Sequence, residues 1–270
     1  MTSRFDAQAV AAALHGEAWR VEVVPTVAST HAVIRAAALA GAAEGTLLLA
    51  EEQTVGRGRL DRTWSAPPGT AILTSFVWRP AEVPAATWGW LPLLVGLAVA
   101  DGCAEAVGIP HAVKWPNDVL AQPVAGTGRA GKVAGVLVER IDTRSGAAAV
   151  VGFGINVHQG ADELPVPTAT SLRLAGASEA DRLAVLTAVL GQLAGRYAAW
   201  RGAGGDADRC GLAADVRRRS ATLGRPVVVH LPGDATVTGR AERIDAHGRL
   251  VVADADGRHV VGAGDVVHLR

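Results

Sequence analysis

Two periodicities of hydrophobic and polar residues run along this chain, and together they predict a protein that mixes helices and strands. Short apolar runs, several with polar residues at alternate positions, predict strands, and apolar residues spaced three and four apart predict helices. The strands expected in the first part of the chain cover residues 20–24, 46–53, 70–78, 113–120 (broken at a Trp-Pro pair), 131–139 and 147–157. The expected helices cover residues 6–15, 32–40, 87–107, 178–200 and 206–219. We expect strand 70–78 to run antiparallel to strand 46–53, and strand 147–157 to pair with strand 131–139.

The pattern changes near residue 225, where short strands replace the long elements. Five strands separated by glycine-containing turns predict a small β-barrel similar to those of SH3 domains. The expected strands cover residues 226–231, 236–244, 250–253, 259–261 and 266–269, and one of the turns covers residues 232–234. The sequence therefore predicts an α+β fold in two domains, 1–221 and 222–270.

Composition excludes several classes of protein. Lysine and arginine balance aspartate and glutamate, so the net charge is zero and broad binding to nucleic acid is not expected. Residues 83–100 carry no charge and are long enough to raise a membrane span, but Pro84 and Pro92 interrupt them. We expect a buried core helix there. Two cysteines give neither a disulfide framework nor a zinc site, and no signal peptide is visible, which predicts a cytoplasmic protein.

One loop concentrates residues suited to an anionic ligand. Residues 51–64, which we call the arginine loop, start at the end of the predicted strand 46–53 and read EEQTVGRGRLDRTW. Glycines allow a backbone to approach a ligand closely, arginines donate to carboxylate and phosphate oxygens, and Trp64 offers a flat face for a ring. The segment predicts a cradle for an anion that carries a planar group, although a solvated surface turn would have the same composition.

Rare residue types mark other candidate positions. Of the 26 basic side chains only Lys114 and Lys132 are lysines, and Asn117 and Asn156 are the only asparagines. In a chain so rich in arginine, alanine and glycine, this suggests that arginine or glutamine would not serve at these four positions. Lys114 and Asn117 flank a Trp-Pro bend that also carries Asp118, and Trp115 is a second candidate aromatic surface.

The candidate residues favour some chemistries over others. Residues 126–132 match the first part of a phosphate-binding P-loop, but Val133 stands where its Ser or Thr belongs and a strand follows. No Ser-His-Asp set, paired cysteine nucleophile or His/Cys metal cluster is evident. Several cations around one carboxylate suit the stabilisation of negative charge that develops on phosphate or carboxylate oxygens.

Four motifs in order resemble those of the biotin protein ligases. They are GRGR at 56–59, KWPND at 114–118, GKVAG at 131–135 and GFGIN at 152–156, and the resemblance extends over nearly the whole chain. It implies a mixed or antiparallel sheet flanked by helices, as in class II synthetases, with a C-terminal SH3-like barrel. It also implies a two-step reaction, in which biotin and ATP give biotinyl-5′-AMP and the biotinyl group then passes to a lysine of a carboxylase's carrier domain.

The resemblance implies roles for individual residues. Catalytic roles fall to Lys132, Arg59, Asp118 and Lys114. Contacts with biotin fall to Ser29, Thr30, His31, Gln53, Gly56, Arg57, Gly58, Arg59, Lys132 and Gly135. Contacts with ATP and the adenylate fall to Arg59, Arg62, Trp64, Asn117, Lys132 and Asn156. Mg²⁺ would accompany ATP, with Asp118 as a candidate ligand, and no permanently bound cofactor is expected.

Two departures from the family pattern and two alternatives stand beside this interpretation. His31 replaces the usual asparagine. The segment that leads to Lys132, residues 128–132, contains extra small residues, and we call it the lysine loop. The resemblance begins near Thr26, so about 25 residues precede it, and we expect no DNA-binding domain and no repressor function. We also expect a monomer or weak homodimer. A lipoate protein ligase of the same fold and a binding module without catalysis are the alternatives.

Overall fold

The larger domain is built on a seven-stranded mixed sheet. A computed structural model describes residues 4–14, 19–59, 62–233 and 235–269. Parts of the expected first helix, of the arginine loop and of one turn lie outside the described residues, at His15, at Leu60 and Asp61, and at Asp234. The strands are β1 (Arg20–Val27), β2 (Thr46–Gln53), β3 (Ala71–Trp78), β4 (His111–Lys114), β5 (Asp118–Ala121), β6 (Gly131–Thr143) and β7 (Gly146–Asn156).

The order of the strands across this sheet is β1-β2-β3-β7-β6-β5-β4. Only β1 and β2 run parallel, and every other neighbouring pair is antiparallel, including the two pairs expected from the sequence. The helices are α1 (Ala7–Ala13), α2 (Thr30–Leu39), α3 (Leu91–Val107), α4 (Arg182–Gly202) and α5 (Leu212–Arg219), and a 3-10 helix, Ala85–Trp90, precedes α3.

Helices cover the two faces of the sheet unequally. On one face, α3 and α4 pack against each other and against the sheet in a large apolar core that contains Phe76 and Phe153. On the other face, α2 covers only part of the strands, through Ile34 and Ala38. The remainder of that face, beyond the N-terminal end of α2, is where the site residues collect.

The charge-free stretch near residue 90 lies in the core, as expected. The segment Ala85–Val107 is long and apolar enough to cross a membrane by length and composition, but 67% of its most apolar window is buried inside the protein. It starts as a 3-10 helix and becomes α-helical at Leu91, where Pro92 occupies the first turn, a position that tolerates a residue without an N–H.

Two helices begin later than the periodicity predicted, because local side-chain bonds form turns first. Asp181 accepts from the N–H of Leu183 and caps α4, so that residues 178–181 stay outside the helix. Asp206 accepts from two following N–H groups, and Gly211 takes a φ of +79°, so α5 begins only at Leu212.

The C-terminal domain is a five-stranded antiparallel sheet that fits an SH3-like fold. Its strand order is β11-β10-β9-β8-β12. The strands are β8 (Pro226–His230), β9 (Thr236–Ile244), β10 (Leu250–Ala253), β11 (Arg258–Val261) and β12 (Asp265–His268).

Two tryptophans anchor the C-terminal domain to the larger one. The indole N–H of Trp115 donates to the carbonyl of Gly248 at 3.2 Å, and that of Trp90 donates to the carbonyl of Ala246 at 3.0 Å. Trp115 is only 3% exposed, so the expectation that it offers an aromatic surface to a ligand is wrong. The sequence could not show this, because the burial comes from a turn more than 130 residues away.

Candidate functional site

A strip of small residues forms the floor of the candidate site. The strand register pairs Ser75 of β3 with Gly152 of β7, and pairs Gly154 of β7 with Gly135 of β6. Gly152 and Gly154 share one face of the sheet because side chains alternate along a strand. We call these four residues the glycine floor. It lies on the face that α2 covers only partly, and no large side chain rises from it.

The N-terminal end of α2 closes one side of the floor. The Thr30 N–H and hydroxyl both donate to Gln53 Oε1, at 2.7 and 3.0 Å, and Thr30 Oγ1 lies 2.9 Å from Ser75 Oγ. Ser29 caps the helix by accepting from Ala32 N at 3.4 Å. Ser29 and Thr30 are buried, so the helix start and Gln53 form a fixed polar corner above Ser75.

His31 continues this corner toward the protein surface. Its Nε2 lies 3.3 Å from Glu139 Oε2, and Arg35 donates to the other oxygen of that carboxylate at 2.9 Å. His31 Nδ1 is buried beside Gly152 and has no hydrogen-bond partner among the described residues. Burial lowers the pKa of His31 below its ordinary value, although Glu139 opposes the shift. The imidazole is therefore neutral at pH 7.

The arginine loop folds back on itself as a short hairpin at the opposite side of the floor. Gly58 N–H donates to Arg62 C=O at 2.7 Å, and Trp64 N–H donates to Gly56 C=O at 2.9 Å. A Cβ on Gly56 would lie 2.2 Å from the Trp64 carbonyl oxygen, so the turn needs glycine there. Arg57 is exposed, and the described part of the chain gives its guanidinium no hydrogen bond or ion pair, which leaves it available to an anion.

Trp64 covers the far end of the floor. A Cβ on Gly154 would lie 2.5 Å from Trp64 Cε2, and one on Gly135 would lie 3.0 Å from Trp64 Cζ3. The indole thus rests directly on these two glycines, and its Nε1 is buried without a hydrogen-bond partner in the described structure. The Lys132 ammonium lies 5.9 Å from the ring centroid, within cation–π range.

Lys132 and Asp118 form an ion pair beside Trp64. Lys132 Nζ lies 2.6 Å from Asp118 Oδ1, and the two side chains are 30% and 18% exposed. Strand pairing places Lys114 opposite Asp118 across the β4–β5 hairpin. The described residues offer Lys114 no ion-pair partner within 4 Å, but its charge acts on Asp265.

Asn117 and Arg59 link that hairpin to the arginine loop. Asn117 Nδ2 donates to Val136 C=O at 2.8 Å, and its Oδ1 accepts from Arg59 Nη1 at 3.2 Å. Burial lowers the pKa of Arg59, opposed by the carboxylates of Asp118 and Asp265. The guanidinium nevertheless stays charged, since arginine is not deprotonated in proteins.

The C-terminal domain also contributes to the site. Arg62 and Asp265 form a bidentate pair with distances of 2.6 and 3.3 Å, and Arg59 Nη1 lies 3.4 Å from the Gly264 carbonyl oxygen. Asp265 therefore holds the arginine loop from the other domain. Sequence reasoning missed this residue, as it missed Ser75 and Glu139, because each reaches the site from a strand far away in the chain.

Asn156 is buried at the end of the floor, and both polar atoms of its side-chain amide form hydrogen bonds within the protein. Its Nδ2 donates to Thr170 C=O at 3.0 Å, and its Oδ1 accepts from Gln159 Nε2 at 3.0 Å. It lies on the same face as Gly154, so the geometry places it at the edge of the site. In the described part of the chain no three His, Cys, Asp or Glu side chains come close enough to hold a metal ion.

One further cleft lies away from these residues. It encloses about 560 Å³ between α1 and the start of α4 and is lined by Phe5, His158 and Arg173 among others. A buried ion pair between Arg182 and Glu51 closes one wall. None of the motif residues lines this cleft.

Sequence comparison identifies relatives of both domains. A profile of the "Biotin/lipoate A/B protein ligase family" matches residues 23–156, and one of the "Biotin protein ligase C terminal domain" matches residues 222–269. The chain is 44% identical to the biotin–[acetyl-CoA-carboxylase] ligase of Mycobacterium tuberculosis, over 94% of this chain and 91% of that protein. It is 36% identical to the bifunctional ligase/repressor BirA of Bacillus spizizenii, over 61% of this chain and 49% of that protein.

Comparison of folds gives the same result. The structure is similar to that of the biotin protein ligase from Aquifex aeolicus in complex with biotin and ATP, with a TM-score of 0.73 and 27% identity. The match covers 93% of this chain and 99% of the Aquifex chain, so it includes both domains.

Proposed function

This chain belongs to the biotin/lipoate A/B protein ligase family and is a biotin protein ligase, and from that premise we propose how its site performs the reaction. The enzyme activates biotin with ATP and transfers the biotinyl group to a lysine of a carboxylase's carrier domain. One observation carries the proposed mechanism: Lys132 lies beside Gly135 of the glycine floor and pairs with Asp118, and Arg59 binds the neighbouring Asn117.

We assign the biotin ring to the polar corner and the glycine floor. The ring contains N–H donors and a carbonyl acceptor, which match the buried hydroxyls of Ser29 and Thr30, the amide of Gln53, and the neutral imidazole of His31. Gly152 adds no side chain here, so Ser75 Oγ and His31 Nδ1 lie close to the sheet, where they can face the polar atoms of the biotin ring. The backbone of residues 56–58 and the Arg57 guanidinium would then receive the carboxylate tail.

The cations stabilise charge in the first step. A biotin carboxylate oxygen attacks the α-phosphorus of ATP, the bond to the β-phosphate oxygen breaks, and pyrophosphate leaves. Negative charge grows on the α-phosphate oxygens, where we place Lys132 and Arg59 as fixed donors. Trp64 would stack with adenine, and Asn117 and Asn156 would bound the nucleotide. Lys114 would add positive charge at the same edge.

Asp118 acts in the second step. The carrier lysine must be a neutral amine to attack the acyl carbonyl, and its attack releases AMP as the leaving group. Asp118 is the carboxylate beside the proposed reacting atoms, so we assign it the orientation of the amine and acceptance of a proton. In this structure Asp118 is paired with Lys132 at 2.6 Å, and we propose that the phosphate of the adenylate draws Lys132 away and frees the carboxylate.

Mg²⁺ would enter with ATP. Magnesium sites in ATP-dependent enzymes commonly combine one or two carboxylates with substrate phosphates, so the donor set of this site fits an ion held chiefly by ATP. Asp118 is the protein ligand that we propose. Absence of nucleic-acid binding, a monomeric or weakly dimeric state and a cytoplasmic location stay predictions, supported only by the zero net charge and the free cysteines.

Replacement of Lys132 by alanine tests the proposed mechanism. We expect biotin-dependent pyrophosphate release to fall about 10²-fold or more, the size of loss seen when one preorganised donor to a developing anion is removed. The matched control is Arg140→Ala, which removes an exposed cation from the same strand, β6, outside the site. Equal rates for Lys132→Ala and the wild type would refute the assignment of Lys132.

A further inference from the structure

A segment without regular secondary structure holds the backbone of the lysine loop. Lys132 N–H donates to Thr168 C=O at 2.9 Å, and Thr170 N–H donates to Lys132 C=O at 2.8 Å, which form an isolated parallel bridge around Ala169. Arg129 N–H donates to Leu174 C=O at 2.7 Å. We call residues 168–174 the strap.

Within the strap, Thr170 forms hydrogen bonds with all of its polar groups. Besides the N–H bound to Lys132, its hydroxyl donates to Arg129 C=O at 2.9 Å, and its carbonyl accepts from Asn156 Nδ2 at 3.0 Å. Thr170 is completely buried. One side chain and its backbone therefore connect the lysine loop on β6 with Asn156 on β7.

We propose that Thr170 is a positioning residue for adenylate formation, acting through the backbone of the lysine loop at Arg129 and Lys132. The proposal rests on the function proposed above. The loop before Lys132 is exposed and rich in glycine and alanine, and Gly131 has a φ of +156° with its Cα beside Thr168 C=O. Such a segment has little of its own to fix its path, because glycine restricts the backbone least. The strap supplies that restriction at Arg129, and at Lys132 it adds to the pairing of β6 with β5.

The consequence concerns the rate of chemistry rather than the binding of biotin. Lys132 must reach the α-phosphate while it leaves Asp118, and a displacement of about 1 Å in a catalytic group can cost about 10²-fold in rate. The polar corner at Ser29, Thr30 and Gln53 makes no bond to the strap, so biotin should bind normally when the strap is weakened.

The test uses three substitutions within two neighbouring residues. Thr170→Val keeps the shape and both backbone bonds but removes the hydroxyl, and Thr170→Ser restores a hydroxyl. Ser171→Ala is the control for a weakened strap: Ser171 is equally buried, and its hydroxyl donates to Gln159 C=O at 2.7 Å and accepts from Leu174 N–H at 3.1 Å, with no direct bond to the lysine loop. Single-turnover formation of the biotinyl adenylate, biotin affinity and the melting temperature are measured for each variant.

We expect Thr170→Val to slow adenylate formation about tenfold or more at saturating biotin and ATP, with biotin affinity within about twofold of the wild type. Thr170→Ser should recover most of the rate, and Ser171→Ala should keep it even though its melting temperature falls as much. Equal rates for Thr170→Val and Ser171→Ala, or no recovery in Thr170→Ser, would overturn the proposal. If the wild type itself forms no adenylate with biotin, the proposed function fails instead.

Discussion

Acid should destabilise this protein in part through the buried His111. This residue is the first of β4, the strand that leads to Lys114 and the Trp-Pro bend, and it is 1% exposed. Burial, aided by the nearby charge of Arg219, lowers the pKa of His111 to about 4 from 6.5, although a backbone group of Ile109 opposes the shift. The folded protein therefore holds this imidazole neutral over a pH range in which the unfolded chain would protonate it.

The size of the effect follows from the two pKa values. They differ by about 2.5, and each pKa unit corresponds to about 1.36 kcal/mol, so His111 should remove about 3 kcal/mol of stability between pH 6.5 and pH 4. The sign is fixed because the unfolded state takes up the proton first as the pH falls. Above pH 6.5 neither state is protonated, and below pH 4 both are, so the contribution is confined to that window.

Urea unfolding at pH 7.5, 5.5 and 4.5 measures the contribution of His111 to the free energy of unfolding. In His111→Leu the loss of stability with falling pH should be smaller than in the wild type by about 1.4 kcal/mol at pH 5.5 and by more at pH 4.5. His230→Gln, at an exposed position on β8, is the control and should follow the wild-type curve. If His111→Leu loses stability in parallel with the wild type over the whole range, His111 is not the group that titrates.

Two further substitutions test contacts around the arginine loop. Asp265→Asn removes the charge that pairs with Arg62 and should raise the KM for ATP several-fold. The free energy of unfolding should fall by only about 0–1 kcal/mol, because the pair is partly exposed. An unchanged KM would show that the arginine loop needs no support from the C-terminal domain. Gly154→Ala would place a Cβ 2.5 Å from Trp64 Cε2, so the indole must move; we expect a shift of tryptophan fluorescence and about a tenfold higher KM for ATP. Gly195→Ala on α4, which has open space, is its control and should change neither quantity, and equal behaviour of the two alanine variants would show that Trp64 does not depend on Gly154.

Much of the fold could be predicted from periodicity because strands such as β5 and β8 bury alternate residues, although β3 is buried on both faces. The ranges 236–244 and 250–253 were predicted without error, and the Trp-Pro break does separate β4 from β5. The starts of α4 and α5 were wrong, since Asp181 and Asp206 form local side-chain bonds that an apolar stripe does not report.

The candidate site could be predicted where a short segment contains charged or amide side chains of a type that is rare in this chain. Lys132, Asp118, Asn117 and Arg59 do lie together. What sequence reasoning missed are residues whose role depends only on a distant partner. Thr170 is an ordinary buried threonine until its bonds to the lysine loop are seen.

A preference for biotin would follow from the proposed placement of the ligand. In that placement the polar corner binds a ring with N–H and C=O groups, and Lys132 with the arginines receives a carboxylate and a phosphate. Lipoate has a carboxylate but lacks the cyclic urea, so its ring would leave the buried groups of the corner unpaired. Unpaired buried groups cost about 1–3 kcal/mol each.

The most direct test is pyrophosphate exchange into ATP by the purified protein with Mg²⁺ and biotin, lipoate or no acid. We expect exchange with biotin, at least about 10²-fold slower exchange with lipoate at equal concentration, and none without an acid. Exchange with lipoate alone would assign the enzyme to the other branch of the family. No exchange with either acid would contradict the claim that this site forms an acyl adenylate.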